Sequence, residues 1–317
     1  MSTVLVTGGT GLIGAEVVRQ LLHQGHRPVA FEFSPNVANI ADIQDQVPVV
    51  RGDVSDMGSL LHAIREHGVD RIIHLAAFIL HESNGNPMRS AQVNVMGSGN
   101  VFDAALALGI ERVAYASTSA VYGRTELYDS RPATEDDAPA PANPYGGAKR
   151  LVEIIADSYA ANLGLDVVGL RPALTYGIGR LTGGTGGFNR MVRAAALGLP
   201  VELDNYGPPQ RLIQPLYIRD MARAFIAATL GQKLPGTLYN APVGAPISVQ
   251  QAVDTVIDVV PGADIRIVDK LRPGAWASPT IDGTRFRRDA QFESEVSLHD
   301  GVAEMVEIFR RLEADAR

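Results

Sequence analysis

Along the first half of the chain, short apolar runs alternate with longer stretches in which apolar positions recur every three or four residues. "TVLVT" (3–7) predicts a buried strand, "LIGAEVVRQLLHQG" (12–25) a helix closed by Gly25, and "PVAFEF" (28–33) a second strand. Further strands are predicted at 47–53, 71–77, 112–118 and 165–172, with helices at 55–68, about 87–109 and about 144–162. Strands this continuously apolar, with helices between them, belong to a parallel sheet covered on both faces. The expected fold class is α/β, a doubly wound parallel sheet over residues 1–177. After about residue 175 the rhythm weakens: 179–188 is glycine-rich and predicts a mobile loop, and 206–215 and 234–248 predict turns. Helices follow at 219–230 and 300–314. Residues 178–317 are expected to form a smaller C-terminal lobe, with about 217–230 returning to the first domain.

Composition removes some functions. The 317 residues carry 28 basic and 35 acidic side chains, so the net charge is 28 − 35 = −7. That balance gives no reason to expect nucleic acid or an anionic membrane as partner. There is no cysteine, which excludes disulfides and thiolate chemistry. No basic-then-apolar leader opens the sequence, and the longest apolar run, 72–80, is too short for a bilayer and contains His74. A cytoplasmic protein is expected. No spacing of His, Asp and Glu suggests a metal site.

The first strand–helix junction carries glycines at both Gly9-x-Gly11-x-x-Gly14 and Gly8-x-x-Gly11-x-x-Gly14 spacing. A pyrophosphate on a helix N-terminus needs a tight turn, a bare backbone and close helix–sheet packing there. Glu32 ends the second strand 18 residues after Gly14, where a carboxylate can accept ribose hydroxyls and repel a 2′-phosphate. NAD is therefore expected over NADP. Asp53, at the end of the third strand, either meets the adenine amino group or caps the helix beginning near Ser55.

"NPYGGAK" places Lys149 four residues after Tyr145, on one face of a helix beginning at Pro144. With three lysines and nine tyrosines in the chain, chance gives this spacing about 0.1 times. A phenol titrates near 10, too high for a base at neutral pH, and a nearby ammonium favours the phenolate. Lowering it by about three units requires about 4 kcal/mol. The pair suits proton transfer coupled to hydride transfer at a secondary alcohol.

Together with Glu32, the segments "TGGTGLIG", "GDVSD", "IIHLAA", "NVMGSGNV", "ASTSAVYG" and "NPYGGAK", in that order over residues 3–177, resemble the extended short-chain dehydrogenase/reductase family, in its NAD-dependent epimerase/dehydratase branch. Weaker likeness continues through "YIRDMARAF" (217–225). The resemblance implies an NAD-binding Rossmann domain, a C-terminal substrate-binding lobe, and an NAD-dependent dehydrogenase or epimerase. It makes Tyr145 the acid/base, Lys149 its partner, and Thr118, four residues before Tyr122, the hydroxyl that holds the reacting oxygen, in preference to Ser119. Implied cofactor contacts are Gly8, Gly11, Leu12, Ile13, Gly14, Glu32, Asp53, Val54, Leu75, Ala76, Ala77, Asn94, Ser117, Tyr145, Lys149 and Pro172. Implied substrate contacts are Phe78, His81, Thr118, Ser119, Tyr145, Leu174 and Gln214.

Two departures bear on the substrate, expected to be a sugar or a related polyol or acid. Family dehydratases carry an acidic pair after the catalytic threonine; Ser119 and Ala120 stand here. Nucleotide-sugar members carry an asparagine and an arginine where this chain has Leu174 and Ile213, although Arg180, Arg190, Arg193 and Arg211 lie nearby. A nucleotide-sugar 4-epimerase with retained NAD, and a non-catalytic NAD-binding sensor or scaffold, remain the alternatives. The resemblance also implies a homodimer through the helices at about 87–109 and 144–162. Trp276 stands in a loop-like stretch with no pattern to interpret.

Overall fold

The computed structural model describes residues 1–128, 131–181, 183–269 and 278–315; Trp276 lies outside them. Its centre is a parallel sheet of β1 (Thr3–Thr7), β2 (Arg27–Glu32), β3 (Val49–Arg51), β4 (Arg71–His74), β5 (Arg112–Ala116), β6 (Val167–Arg171) and an edge strand, Leu238–Asn240. The spatial order is edge strand, β6, β5, β4, β1, β2, β3. β1 therefore pairs with both β2 (Thr3 opposite Arg27) and β4 (Val4 opposite Arg71). Strand order reverses at β1, which opens a crevice beyond the carboxyl ends of β1 and β4.

Side-chain alternation along the strands sorts the core into two layers. Val4, Val6, Ala30, Ile73 and Ala114 face α1 (Leu12–His23) and the helix Ile218–Leu230, meeting Val17, Leu21, Met221 and Phe225. Leu5, Val29, Phe31, Ile72 and Val113 face the other way, toward α2 (Met57–His67) and the helices Gly97–Leu108 and Pro144–Leu163. A third core joins Tyr176, Phe188, Met191, Leu203, Tyr217, Val253, Val302 and Met305.

Three expectations need correction. The glycine-rich stretch is not a loop through 188: the chain is helical over Gly183–Ala196. Phe188, Met191, Val192 and Ala195 fall at helical spacing and are buried in the third core, which outweighs the poor helix propensity of glycine. The turn-rich stretches hold short strands. Leu212–Ile213 pairs antiparallel with Ile247–Ser248, and Leu238–Asn240 extends the main sheet beside β6. Two or three residues are too few to show a period of two. The helix expected at about 87–109 is interrupted by a wide π-turn over Ala91–Met96, which carries Asn94 into the interior.

Asp220, fully buried near the start of the helix Ile218–Leu230, accepts from the Glu295 and Val296 amides at 3.0 and 2.9 Å and from Arg223 at 2.7 Å. It fastens the segment ahead of the last helix to the sheet-packed helix. Asp220→Ala strands three donors and is expected to lower the unfolding free energy by about 3 kcal/mol, read as a lower urea midpoint with unchanged slope.

Candidate active site

The crevice is a cleft of about 1240 Å³ bordered by the glycine turn, the ends of β4 and β5, the start of the helix Pro144–Leu163, and the segments near 174, 206–214 and 280. A single drug-sized ligand occupies about 300–1,000 Å³, so the cleft has room for two molecules side by side.

One end is built as an anion cradle. Gly8 has φ +71°, a conformation that glycine adopts without strain, and a Cβ there would lie 2.9 Å from the Ala76 amide nitrogen. A Cβ on Gly14 would run into the Gly8 carbonyl. Gly11 caps α1 without a side-chain hydrogen bond, and the first turn holds no acidic residue. The N–H groups of that turn are left for an anion. Leu12, Ile13, Val54, Leu75, Ala76 and Ala77 line the same end.

Two carboxylates stand there. Glu32 accepts from the Thr10 hydroxyl at 3.2 Å and from the Phe33 amide at 3.1 Å. Burial pushes its pKa up, against those hydrogen bonds. Asp53 does not cap α2, whose N-cap is Asp56, accepting from the Gly58 amide at 3.0 Å; Asp53 Oδ1 instead closes the turn ahead of the helix, accepting from the Ser55 amide at 2.8 Å. Its Oδ2 accepts from Arg89 at 2.6 Å, so any contact with an adenine must share that oxygen.

The middle of the cleft holds the hydroxyl, the phenol and the amine. Asn143 caps the helix Pro144–Leu163, its Oδ1 accepting from the Gly146 amide at 2.9 Å, and Pro144 starts the first turn. This fixes the angular position of Tyr145 and of Lys149 one turn on. Lys149 is buried, and its Nζ donates to the Ala116 carbonyl at 2.7 Å. Burial lowers its pKa to about 8, with Glu153 acting in the other direction. Tyr145 does not show the lowering that the Tyr–Lys spacing led us to expect. Burial pushes the phenol upward, Glu82 adds to the rise, and a Thr118 hydrogen bond and the Arg180 charge oppose it. The reason is desolvation: the ammonium is engaged with a backbone carbonyl, and the phenol has lost water.

Of the sequence-predicted residues, all but Asn94 line the cleft. Asn94 is buried behind it, its amide exchanging hydrogen bonds with the Phe78 backbone at 2.9 Å each. It places Phe78. Ser117 borders the cleft, but its hydroxyl turns away and donates to Glu153 at 2.5 Å. Gln214 is similarly spent: its amide clamps the Ile281 backbone, accepting at 2.7 Å and donating at 3.0 Å. That clamp holds residues 278–280 against the cleft. Ser119, Pro172 and Leu174 border the middle, with Phe78 and exposed His81 beside them.

Several lining residues were not singled out from sequence: Phe33, Arg89, Asn205, Tyr206 and 278–280. Arg89 and 278–280 arrive through tertiary packing and have no local signature. Phe33, an exposed aromatic directly after Glu32, did carry a signal.

The model of the NAD dependent epimerase/dehydratase family matches residues 4–241. The chain belongs to that family. It is 29% identical to the UDP-glucose 4-epimerase of Mycolicibacterium smegmatis, over 96% of this chain and 98% of that one. It is 28% identical to a dTDP-glucose 4,6-dehydratase of Streptomyces niveus, over 97% and 92%. Among solved structures, the UDP-glucose 4-epimerase of Thermus thermophilus in complex with NAD superposes with a TM-score of 0.86 at 26% identity, covering 97% of this chain and 99% of that one. The chain is thus an NAD-dependent enzyme of the extended short-chain type, and the cradle fits the dinucleotide. The glycine turn and α1 would hold the pyrophosphate, and Glu32 the adenosine ribose.

Among the described residues, no group of three or more His, Asp or Glu is placed to hold a metal ion, and no helix is long and apolar enough to cross a membrane. If Glu32 selects the ribose hydroxyls, Glu32→Ala raises the NAD dissociation constant about tenfold or more, equivalent to about 1.4 kcal/mol, and narrows the preference over NADP. Calorimetric titration with both dinucleotides checks this.

Proposed function

We propose that this enzyme oxidises and re-reduces a secondary alcohol on a sugar carried by a diphosphate, with the outcome of a 4-epimerase rather than a dehydratase. The observation that carries the reading is the segregation of charge in the cleft. The acidic lining residues, Glu32 and Asp53, stand at the cradle end. The far side holds Arg180, Arg190 and Arg211. Arg190 donates to the Leu181 carbonyl at 2.6 Å and Arg211 to the Tyr206 carbonyl at 2.8 Å; among the described residues, none of the three is paired with a carboxylate. Arg193 turns instead toward Glu313, 4.0 Å away. Burial pushes the Arg211 guanidinium below its ordinary range, which marks a charge short of compensation. A chain of net charge −7 that gathers three uncompensated guanidinium groups in its cleft is arranged for a polyanion.

Leu174 and Ile213 remain apolar where nucleotide-sugar relatives use polar anchors, and both line the cleft. The arginines take over that grip, with Leu174 and Ile213 as an apolar wall. Residues 178–317 form mainly this substrate lobe, with about 217–230 returned to the Rossmann domain. Elimination of water needs a second acid beside the reacting carbon. Ser119 and Ala120 supply none, and no carboxylate lines the middle of the cleft among the described residues.

Bound NAD supplies the hydride acceptor and donor. With NAD bound, the positive charge of its nicotinamide would offset the burial of the phenol, and Tyr145, as phenolate, would take the hydroxyl proton and later return it. Thr118 holds the sugar oxygen. Lys149 keeps positive charge beside the phenol and directs its remaining N–H groups toward the nicotinamide ribose. The enzyme works as a cytoplasmic homodimer. Met88 and Met96, in the segment 87–96 ahead of the helix Gly97–Leu108, and Leu151 and Ile154, on the helix Pro144–Leu163, are exposed at 79%, 62%, 46% and 49%, an apolar surface suited to a second copy.

The test incubates NAD-loaded protein with UDP- and dTDP-hexoses and with the free hexoses, and separates the epimers. Interconversion of a nucleotide sugar without net NADH is expected; equal turnover of free hexoses rejects the diphosphate grip. Tyr145→Phe is expected to lower kcat by about a thousandfold or more. Arg211→Ala raises KM about ten- to a hundredfold with less effect on kcat. Leu151→Glu with Ile154→Glu is expected to halve the mass seen by light scattering.

A further inference from the structure

Behind the cleft lies a buried carboxylate that none of these roles uses. Glu153 has no solvent exposure. Its Oε1 accepts from the Ser117 hydroxyl at 2.5 Å and from Arg171 Nε at 2.7 Å. Its Oε2 accepts from Arg171 Nη2 at 2.8 Å and from Arg150 at 3.1 Å. Four donors saturate both oxygens. Arg171 continues inward to the Tyr122 hydroxyl at 2.7 Å, and Tyr122 donates to Asn240 on the edge strand at 2.8 Å.

We propose that Glu153 is a positioning residue for the reaction, fixing the end of β5 through Ser117 and supplying the negative charge that keeps the Lys149 ammonium in a site without water. The proposal rests on the roles given above to Thr118, Tyr145 and Lys149. Three successive residues at the end of β5 carry it. Ala116 offers its carbonyl to Lys149, Ser117 turns inward to Glu153, and Thr118 turns outward to Tyr145. Because successive side chains of extended backbone point to opposite faces, anchoring Ser117 behind the strand aims Thr118 into the cleft. Lys149 and Glu153 are one helical turn apart and share a face. Stability alone does not explain the carboxylate, since buried ion pairs are often replaceable by apolar side chains at no loss.

The charged and titratable groups around the pair are few. Lys149 faces Glu153 on its own helix and His74 on β4, whose imidazole is held neutral, its pKa pushed to about 3 by burial and by Lys149. Glu153 faces Arg150 and Arg171, and Tyr115 on β5 lies near both Glu153 and Asp157. Among the described residues, Glu153 is therefore the carboxylate acting on Lys149 from within this shell.

Glu153→Gln alone leaves Arg171 buried without its counter-charge and is expected to unfold. Glu153→Gln with Arg171→Met removes both charges and carries the test. The chain has three lysines, so [ε-¹³C]lysine labelling yields three NMR signals, with Lys149 assigned by Lys149→Arg. The Lys149 midpoint, near pH 8 in the unaltered protein, is expected to fall by about one unit in the folded double variant. The alkaline limb of kcat moves down with it, and kcat at pH 7.5 falls about threefold with KM little changed, as expected for a group acting in the transition state. An unchanged Lys149 midpoint in the folded double variant overturns the proposal, whether or not a substrate is in hand. Absence of NAD-linked turnover in the unaltered protein would instead overturn the functional reading, and the NMR midpoint would still decide the role of Glu153.

Discussion

A single ammonium without water sets the terms for the rest of the site. Lys149 is buried at the carboxyl end of β5, and its charge is opposed by burial strongly enough to bring its pKa to about 8. Nothing in the helix Pro144–Leu163 requires a lysine there for packing. It persists because a backbone carbonyl receives one N–H, a carboxylate lies one turn away, and the neighbouring histidine stays neutral. The carboxylate comes from the same helix, but the carbonyl comes from β5 and the histidine from β4, so the sheet must be assembled before the lysine is tolerable.

The same strand end divides the work of the cleft. On one side, the glycine turn and the first turn of α1 leave backbone N–H groups without side-chain competition, and Glu32 stands at the tip of β2. On the other side, short strands and the helix Gly183–Ala196 bring three arginines together. Acidic lining residues at the cradle end and basic ones on the far side make the cleft polar along its length, with Thr118 and Tyr145 between them. Membership of the NAD dependent epimerase/dehydratase family accounts for the first half.

The phenol shows how far a motif reaches. The Tyr145–Lys149 spacing fixes which face the two side chains share, because a helix has 3.6 residues per turn. It does not fix the sign of the pKa shift, which depends on how much water remains and on which acceptor the ammonium has taken. Thr10 and Gln214 show the same limit: each polar side chain does its work by satisfying a backbone amide of another segment, Asn36 and Ile281 respectively.

The amino-acid sequence by itself determined the alternation of strands and helices over the first 177 residues, the glycine turn, Glu32 at the end of β2 and the Tyr145–Lys149 spacing, since all of these are local periodicities or short spacings, while Thr118 came from the family resemblance. Only the tertiary structure decided that Ser117 faces Glu153, that Asn94 serves Phe78, that residues 183–196 are helical, and that Leu238–Asn240 completes the sheet. Those outcomes turn on burial against residues tens to more than a hundred positions away, and long-range burial leaves no period in the chain to read.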